Sequence, residues 1–542
     1  MFARGRRRML SLASLHVLLL ALCRAQITTQ PRRYNLSSPL FLSLANTGNL
    51  SLSLCSGPTP QRLSEVDPSD SALTQARQLL PRLVLADDEA GARDESEPGR
   101  TWMSGGAAVV EVQNEGSWIA VYPPEAGQGT WEVEAQMGAV GEAAPTSIAP
   151  QPGLFLSDTD TAAALFLSTN FSSLPAVSNL TLLPSDGPFA LPAYFNSSSC
   201  YLTRLSSLYS ASLPANSQLR INATETRRGN TAWQNQHEQT RRQWRIDGLA
   251  AASNYTAWLS TADSADAAAP KVLWPAIKLR TKSDATCRLV SDVPFCPSVG
   301  YALPISPSLS TSDALSRLEP IISTNAANFS ATLSTFACGD PYFGPYSSIH
   351  TCTDCEEAYR DWLCAVTMPR CVDGISMSNS YAVAPERLAE SGTPVDVNSD
   401  LLPYVRTRNA STSRAPQLEA DNYSEMLPCF SLCTSVLRTC PAPVVQWACP
   451  SWRVTARSDY GAFADAGADG FGAGFNGGAG EDGQRWGGTQ RYIAQDAFGN
   501  AWCNALGVDF RLAEINAAPS SSPRSARYLG ALVALLAARC LL

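Results

Sequence analysis

Short runs in which apolar and polar residues alternate fill the first part of the chain. Three of them are residues 40–55 (LFLSLANTGNLSLSLC), 107–124 (AAVVEVQNEGSWIAVYPP) and 129–137 (GTWEVEAQM). A period of two, with turn residues between the runs, is typical of antiparallel strands that bury one face. We therefore expect residues 26–150 to form a β-rich domain of the sandwich type.

The alternating pattern continues from residue 151 to residue 286. Its longest run is residues 242–263 (RQWRIDGLAAASNYTAWLSTAD), where Leu249 lies five residues before Asn254 and Tyr255. This layout resembles the turn and tyrosine of fibronectin-like sandwiches. Residues 151–286 are therefore predicted to form a second β-sandwich-like domain.

Helical spacing becomes prominent further along the chain. In residues 356–368 (EEAYRDWLCAVTM), one face with the spacing i, i+3, i+4 and i+7 is formed by Tyr359, Trp362, Leu363 and Val366. In residues 428–441 (PCFSLCTSVLRTCP), Pro428 marks a helix start. The cysteines that follow it project within about 40° of one another on a helix; they are Cys429, Cys433 and Cys440.

These helices lie in a cysteine-rich stretch, for which we expect a mainly helical, disulfide-rich domain over residues 287–503. Residues 372–428 and 450–502 are insertions in this domain, and residues 504–516 form a linker. The overall prediction is a multidomain protein with N-terminal all-β, sandwich-like regions followed by this helical domain. Twelve cysteines lie in the stretch: Cys287, Cys296, Cys338, Cys352, Cys355, Cys364, Cys371, Cys429, Cys433, Cys440, Cys449 and Cys503.

Both ends of the chain carry targeting patterns. Four arginines precede the apolar run 9–22, which predicts a signal peptide over residues 1–25, with a membrane anchor as the alternative. At the other end, the small residues 516–518, a polar spacer and an apolar tail match a glycosylphosphatidylinositol signal over residues 517–542. Asn516 is the predicted attachment residue, and a short terminal helix is the alternative interpretation.

Glycosylation sequons support a secretory route. Ten asparagines precede X-Ser/Thr without an intervening proline, which predicts a heavily glycosylated surface. They are Asn35, Asn49, Asn170, Asn179, Asn196, Asn222, Asn254, Asn328, Asn409 and Asn422.

The charge of the predicted mature span excludes one class of partner. Between residues 26 and 516, 32 basic residues face 48 acidic ones, a net charge of −16. Such a surface repels phosphates, so nucleic-acid binding is not expected.

The cysteines have three interpretations. Zinc binding by the Cys352/Cys355 and Cys429/Cys433 pairs would need a spacing far longer than compact zinc modules use. A thioredoxin-like redox role for Cys352 and Cys355 would need a preceding strand, which the Gly- and Pro-containing residues 342–351 do not predict. Disulfides in an oxidising compartment are the favoured interpretation, with Cys55 and Cys200 as candidates for a mutual pair.

Other candidate chemistry is weak. The acidic residues 87–97 and the carboxylates Asp465, Asp469, Glu481 and Asp482 suggest calcium, but solvated loops explain both groups better. No nucleophile elbow is present, and His237-Glu238 lacks the second histidine of a zinc protease. We therefore predict no catalytic residue, no metal site, no cofactor and no enzymatic activity.

Two motifs carry a family resemblance. Residues 361–371 (DWLCAVTMPRC) and 428–440 (PCFSLCTSVLRTC), preceded by residues 287–304 (CRLVSDVPFCPSVGYALP), resemble the frizzled-type cysteine-rich domain. The order of the whole chain is similar to that of the fungal Mid-type accessory subunits of stretch-activated calcium channels. The cysteine block also resembles that of the animal accessory subunit of the sodium-leak channel.

The resemblance implies an accessory, regulatory subunit of a high-affinity calcium influx channel at the extracellular face of the plasma membrane. Its expected partner is a large, four-repeat, voltage-gated-type pore subunit, and its expected roles are in pheromone response, wall stress and membrane stretch. The interface candidates on the predicted helix are Tyr359, Arg360 and Trp362, because aromatic and arginine residues dominate interface anchoring. The alternative function is a GPI-anchored receptor or adhesion module that binds a lipid or a cell-wall glycan.

Overall fold

A computed structural model describes most of the chain between residues 32 and 506. The described residues are 32–44, 47–56, 78, 80–94, 100–103, 107–124, 131–138, 153–169, 174–187, 189, 199–214, 218–226, 240–262, 272–274, 276–336, 346–347, 350–373, 405–450, 459–461 and 503–506. Both targeting patterns lie outside them, as do Cys338, Asn170, Asn196 and Asn516. The described residues form two compact units, each built from several chain segments. Unit 1 comprises residues 1–154, 175–219 and 254–277, and unit 2 comprises the remainder. The domain boundaries given above stay predictions.

Unit 1 begins with two four-stranded antiparallel sheets. Their strands are β1 (Arg32–Asn35), β2 (Leu40–Ser43), β3 (Gly48–Ser56), β4 (Arg82–Ala86), β5 (Arg100–Trp102), β6 (Ala107–Val112), β7 (Trp118–Tyr122) and β8 (Glu132–Gly138). The sheet orders are β1-β8-β3-β6 and β2-β7-β4-β5. Leu52 and Val133 of the first sheet share one buried cluster with Ile119 and Val121 of the second, so the alternating apolar residues of both sheets form a sandwich core.

A third sheet and a helix complete unit 1. Three strands of this four-stranded sheet are β11 (Val177–Pro184), β14 (Asn254–Ala262) and β15 (Val272–Leu273), hydrogen-bonded in the order β11-β14-β15. The short helix α1 (Glu89–Arg93) follows β4, and helix α2 (Ser199–Ser212) packs Leu202 against Leu183 and Trp258 of the third sheet. A disulfide joins Cys200 of α2 to Cys55 of β3.

Unit 2 also begins with β-structure. Its first sheet has the order β12-β13-β10-β9, formed by β9 (Leu154–Thr159), β10 (Ala163–Ser168), β12 (Arg220–Thr226) and β13 (Arg241–Asp247). The boundary between the two units falls within β16 (Ile277–Arg280). Next comes a hairpin of β17 (Cys287–Val293) and β18 (Cys296–Pro304). A bulge at Asp292, whose φ is +57°, takes up the extra residue before the turn.

The remainder of unit 2 mixes helices with a small sheet. The helices are α3 (Thr311–Leu333), α4 (Cys352–Thr367) and α5 (Phe430–Thr439), and a 3-10 turn spans Pro416–Leu418. The sheet has the order β19-β21-β20, formed by β19 (Arg370–Val372), β20 (Val405–Asn409) and β21 (Asn422–Met426). Tyr301 and Leu303 of the hairpin, Leu318 and Ile322 of α3, and Leu363 of α4 share one buried cluster.

This composition corrects the predicted fold class. The described part of residues 287–503 contains five strands as well as three α-helices, and the described chain as a whole has 21 strands and five α-helices. The expectation of a mainly helical domain on the frizzled-like pattern is therefore wrong. The cysteine spacing predicts two helices, which are present, but residues 287–304 also contain β17 and β18, and residues 405–426 contain β20 and β21.

Candidate interaction site

Helix α4 carries all three interface candidates. Its first turn is closed by a capping box, in which Asp354 N donates to Thr351 Oγ1 and Thr351 N donates to Asp354 Oδ2. This reciprocal pair satisfies donors that a helix start leaves unpaired. On the helix that follows, Arg360 is exposed, while Tyr359 and Trp362 are half-buried.

Disulfides hold α4 and α5 in place. Cys355 in the first turn of α4 is bonded to Cys440 at the end of α5, and Cys364 in the last turn is bonded to Cys296 of the hairpin. Cys352 is also disulfide-bonded. Three further bonds in unit 2 are Cys287–Cys371, Cys429–Cys503 and Cys433–Cys449. Because α4 is cross-linked near both ends, its exposed face is a rigid surface.

Four aromatic side chains form a continuous row across this region. Phe329 of α3 stacks on Tyr359 with ring centroids 3.7 Å apart, and Tyr359 contacts Trp362 at 5.8 Å. Trp362 in turn stacks on Trp447 at 4.6 Å. All four rings are half-buried. We call Phe329, Tyr359, Trp362 and Trp447 the aromatic row.

A tyrosine supports the row from one side. Trp362 Nε1 donates to Tyr460 Oη at 3.0 Å, and the Tyr460 ring packs edge-on against Phe430 at the start of α5. Burial raises the pKa of both the Tyr359 and the Tyr460 hydroxyl, so both stay neutral at physiological pH. The polar atom of the indole is therefore satisfied, and its orientation is fixed.

The row offers a rigid surface rather than a reactive one. Half-buried aromatic rings beside the exposed Arg360 are the residue types that anchor protein interfaces, because they lose little conformational freedom when a partner binds. The sequence did not single out Phe329, Trp447 or Tyr460. A local signal was available for Trp447, which lies two residues before Cys449, because the disulfide from Cys449 to Cys433 holds this segment beside α5.

Sequence reasoning also missed a buried ionic centre in unit 2. Asp158 of β9 accepts a hydrogen bond from Arg370 Nε at 3.2 Å and also contacts Lys282 Nζ. The backbone N–H of Ala302 donates to Asp158 Oδ2, the oxygen that also accepts from Arg370, at 2.9 Å, whereas Lys282 contacts Oδ1. Burial alone would raise the pKa of Asp158, but the charges of Arg370 and Lys282 outweigh burial and lower it. The centre joins β9 to the hairpin and to β19.

The two acidic clusters that the sequence suggested for calcium lie apart from this ionic centre. Asp87, Asp88 and Asp94 line an open cavity of about 780 Å³ in unit 1, where Asp88 Oδ1 accepts the N–H of Gly91 and Asp87 Oδ1 accepts a bond from Asn114. These two carboxylates therefore serve local structure. Asp465, Asp469, Glu481 and Asp482, together with His237, lie outside the described residues.

One cluster of potential metal ligands in unit 1 contains a disulfide. Glu134 lies beside Cys55 and Cys200, with ligand atoms within 4.8 Å of one another. Because the two sulfurs are joined in a disulfide, they have no thiolate with which to bind a metal.

Eight of the ten sequon asparagines are described. Six are exposed: Asn35, Asn179, Asn222, Asn328, Asn409 and Asn422. Asn49 and Asn254 are half-buried. Within the described residues, no helix has both the length and the apolar character needed to cross a bilayer.

Together these features describe a disulfide-linked, β-rich protein with a rigid aromatic surface, and comparison with known proteins assigns it to a family. A family model described as "Stretch-activated Ca2+-permeable channel component" matches residues 49–477. Because this match covers most of the chain, the protein belongs to that family of channel components.

Three curated fungal proteins are similar to the chain. It is 32% identical over 280 residues to the stretch-activated cation channel MID1 of Cryptococcus neoformans var. grubii. It is 27% identical over 300 residues to the stretch-activated cation channel yam8 of Schizosaccharomyces pombe, and 29% identical over 212 residues to that named MID1 of Saccharomyces cerevisiae. The alignments cover 48%, 55% and 38% of this chain, and 40%, 55% and 34% of those relatives. The chain thus spans about half or less of each relative's length.

Proposed function

We propose that this protein is an accessory, regulatory subunit of a stretch- and stress-responsive calcium influx channel of the plasma membrane. Its position is on the extracellular face, reached by the secretory route and held there by the predicted lipid anchor. It binds the extracellular side of a large, four-repeat, voltage-gated-type pore subunit. Membership of a family of channel components is the observation that carries this proposal.

The aromatic row and Arg360 form the proposed contact surface for the pore subunit. Cross-links near both ends of α4 support this assignment, because a rigid surface gives up little entropy on binding. Arg360 is the most informative residue to test, because its side chain is exposed and we expect its removal to leave the packing of the helix unchanged.

Calcium uptake tests the function itself. In a strain that lacks this protein, stretch- or pheromone-induced calcium uptake should fall, and the wild-type chain should restore it. Normal uptake in the deletion strain would overturn the channel role. Binding of a lipid or a wall polysaccharide by the purified chain would then favour the receptor or adhesion alternative.

Co-purification tests the contact surface. Tagged wild-type chain should retain the pore subunit, and Arg360→Ala should retain less of it. Lys278→Ala is the matched control, because it removes another exposed basic side chain in unit 2 outside α4. Equal recovery with all three chains would exclude this surface and leave the channel role to be judged by uptake.

A further inference from the structure

Within the part of the chain that the structure describes, four of the eight sequon asparagines lie on strands at the edges of their sheets. Each strand belongs to a different sheet, and each asparagine is exposed. The four are Asn35 on β1, Asn179 on β11, Asn222 on β12 and Asn409 on β20. An edge strand presents unpaired backbone groups that can pair with another chain, and proteins usually protect such edges.

Strand β12 is more exposed than the edge strands β11 and β20. Among the described residues it pairs with β13 alone, and six of its seven residues are exposed. The neighbouring strand is very different, because Trp244 and Ile246 of β13 are almost fully buried. The core of the sheet therefore ends at β13, and β12 extends beyond it with both faces toward solvent.

The composition of β12 adds to this exposure. Ile221 is 41% exposed, and β-branched residues such as Ile221 and Thr224 favour extended pairing. Asn222 is the third of the seven residues and is exposed, so a glycan attached to it leaves one face of β12 near the middle of the strand, beside its open edge. Its sequon partner Thr224 lies on the same strand.

We infer that an N-linked glycan on Asn222 covers the open edge of β12 and prevents it from pairing with the strand of a second chain. An N-glycan is bulky and hydrophilic, and its attachment needs the sequon, an accessible asparagine and passage of the chain through the secretory route proposed above. The glycan thus performs the role that lysine, proline or a bulge performs on other edge strands. Asn35, Asn179 and Asn409 place the same device on three further sheets. This inference does not depend on the proposed channel role.

The test uses the full chain secreted from a eukaryotic host. Glycopeptide mass spectrometry should find Asn222 occupied, and size-exclusion chromatography with light scattering should find the protein monomeric. Asn222→Gln and Thr224→Ala both remove the sequon and should shift protein from the monomer to dimers and larger species. Thr224→Ser keeps the sequon and should stay monomeric.

Two further variants separate edge protection from a general effect of glycosylation. Asn328→Gln removes an exposed sequon on helix α3 rather than on a strand, and should leave the monomer unchanged. Adding Ile221→Lys to Asn222→Gln should restore the monomer, because a lysine opposes edge pairing. An unoccupied Asn222, a monomeric Asn222→Gln, an equal effect of Asn328→Gln, or failure of the lysine to rescue would each overturn the inference.

Discussion

Asp158 and Arg370 form an ion pair at 3.2 Å although 212 residues separate them, and each side chain is only 1% exposed. Lys282 contacts the other oxygen of the same carboxylate. A buried charge without a partner is far more costly than a buried pair, so each of these groups requires the others. One carboxylate therefore joins three parts of unit 2. They are strand β9, the segment that follows β16, and strand β19.

Replacing Asp158 by alanine should destabilise the protein by about 3–5 kcal/mol, because two buried cations then lose their anion. Urea unfolding, followed by fluorescence with the disulfides intact, measures the change. Glu419→Ala is the control, since it breaks the exposed pair with Arg317, for which a cost of about 0–1 kcal/mol is expected. Similar losses in the two variants would contradict the role assigned to Asp158.

The same carboxylate predicts how stability depends on pH. The folded pKa of Asp158 lies below its ordinary value of 3.8, so its contribution is present above that value and is lost as the pH falls through the folded pKa. The stability difference between wild type and Asp158→Asn should therefore be largest near neutral pH and should shrink below about pH 4. Thermal melting of both proteins across this range measures the difference. A gap that widened in acid would contradict the lowered pKa.

The spacing of apolar residues predicted helices and strands correctly where neighbouring residues alone determine the element. The apolar spacing around Tyr359 and Trp362 does lie on a helix, and the alternation in residues 107–124 does form strands. The ionic centre could not be found in this way, because Asp158, Lys282 and Arg370 lie in three distant segments with no shared spacing. The predicted helical domain failed for a related reason. The helical spacing of the cysteines predicts α4 and α5, but it carries no information about β17 and β18, which form a hairpin in the same domain.

Loop length predicts the relative contributions of two disulfides. Cys355–Cys440 joins residues 85 apart, and no other described disulfide shortens this loop, whereas Cys433–Cys449 joins residues only 16 apart. A longer closed loop restricts the unfolded chain more, which gives about 4.5 kcal/mol for the first bond and about 3 kcal/mol for the second. Urea midpoints of the two double Cys→Ser variants, measured without reductant, should therefore fall in that order. The opposite order would show that contacts in the folded state, rather than chain entropy, set the difference.

Substitutions on helix α4 should affect stability and partner binding separately. Trp362 stacks on Trp447 and donates to Tyr460, so Trp362→Ala should cost about 2–4 kcal/mol, somewhat less than a fully buried tryptophan would. Arg360 is exposed on the same helix, and Arg360→Ala should change stability by no more than about 0.5 kcal/mol.

If the aromatic row and Arg360 bind the pore subunit, Arg360→Ala still loses pore capture in spite of its normal stability. Melting temperature and pore co-purification, measured on the same preparations, distinguish the two effects. An Arg360→Ala protein that loses stability and capture together would show that Arg360 supports the fold rather than the contact, because a residue used only at the interface leaves the unbound protein unchanged.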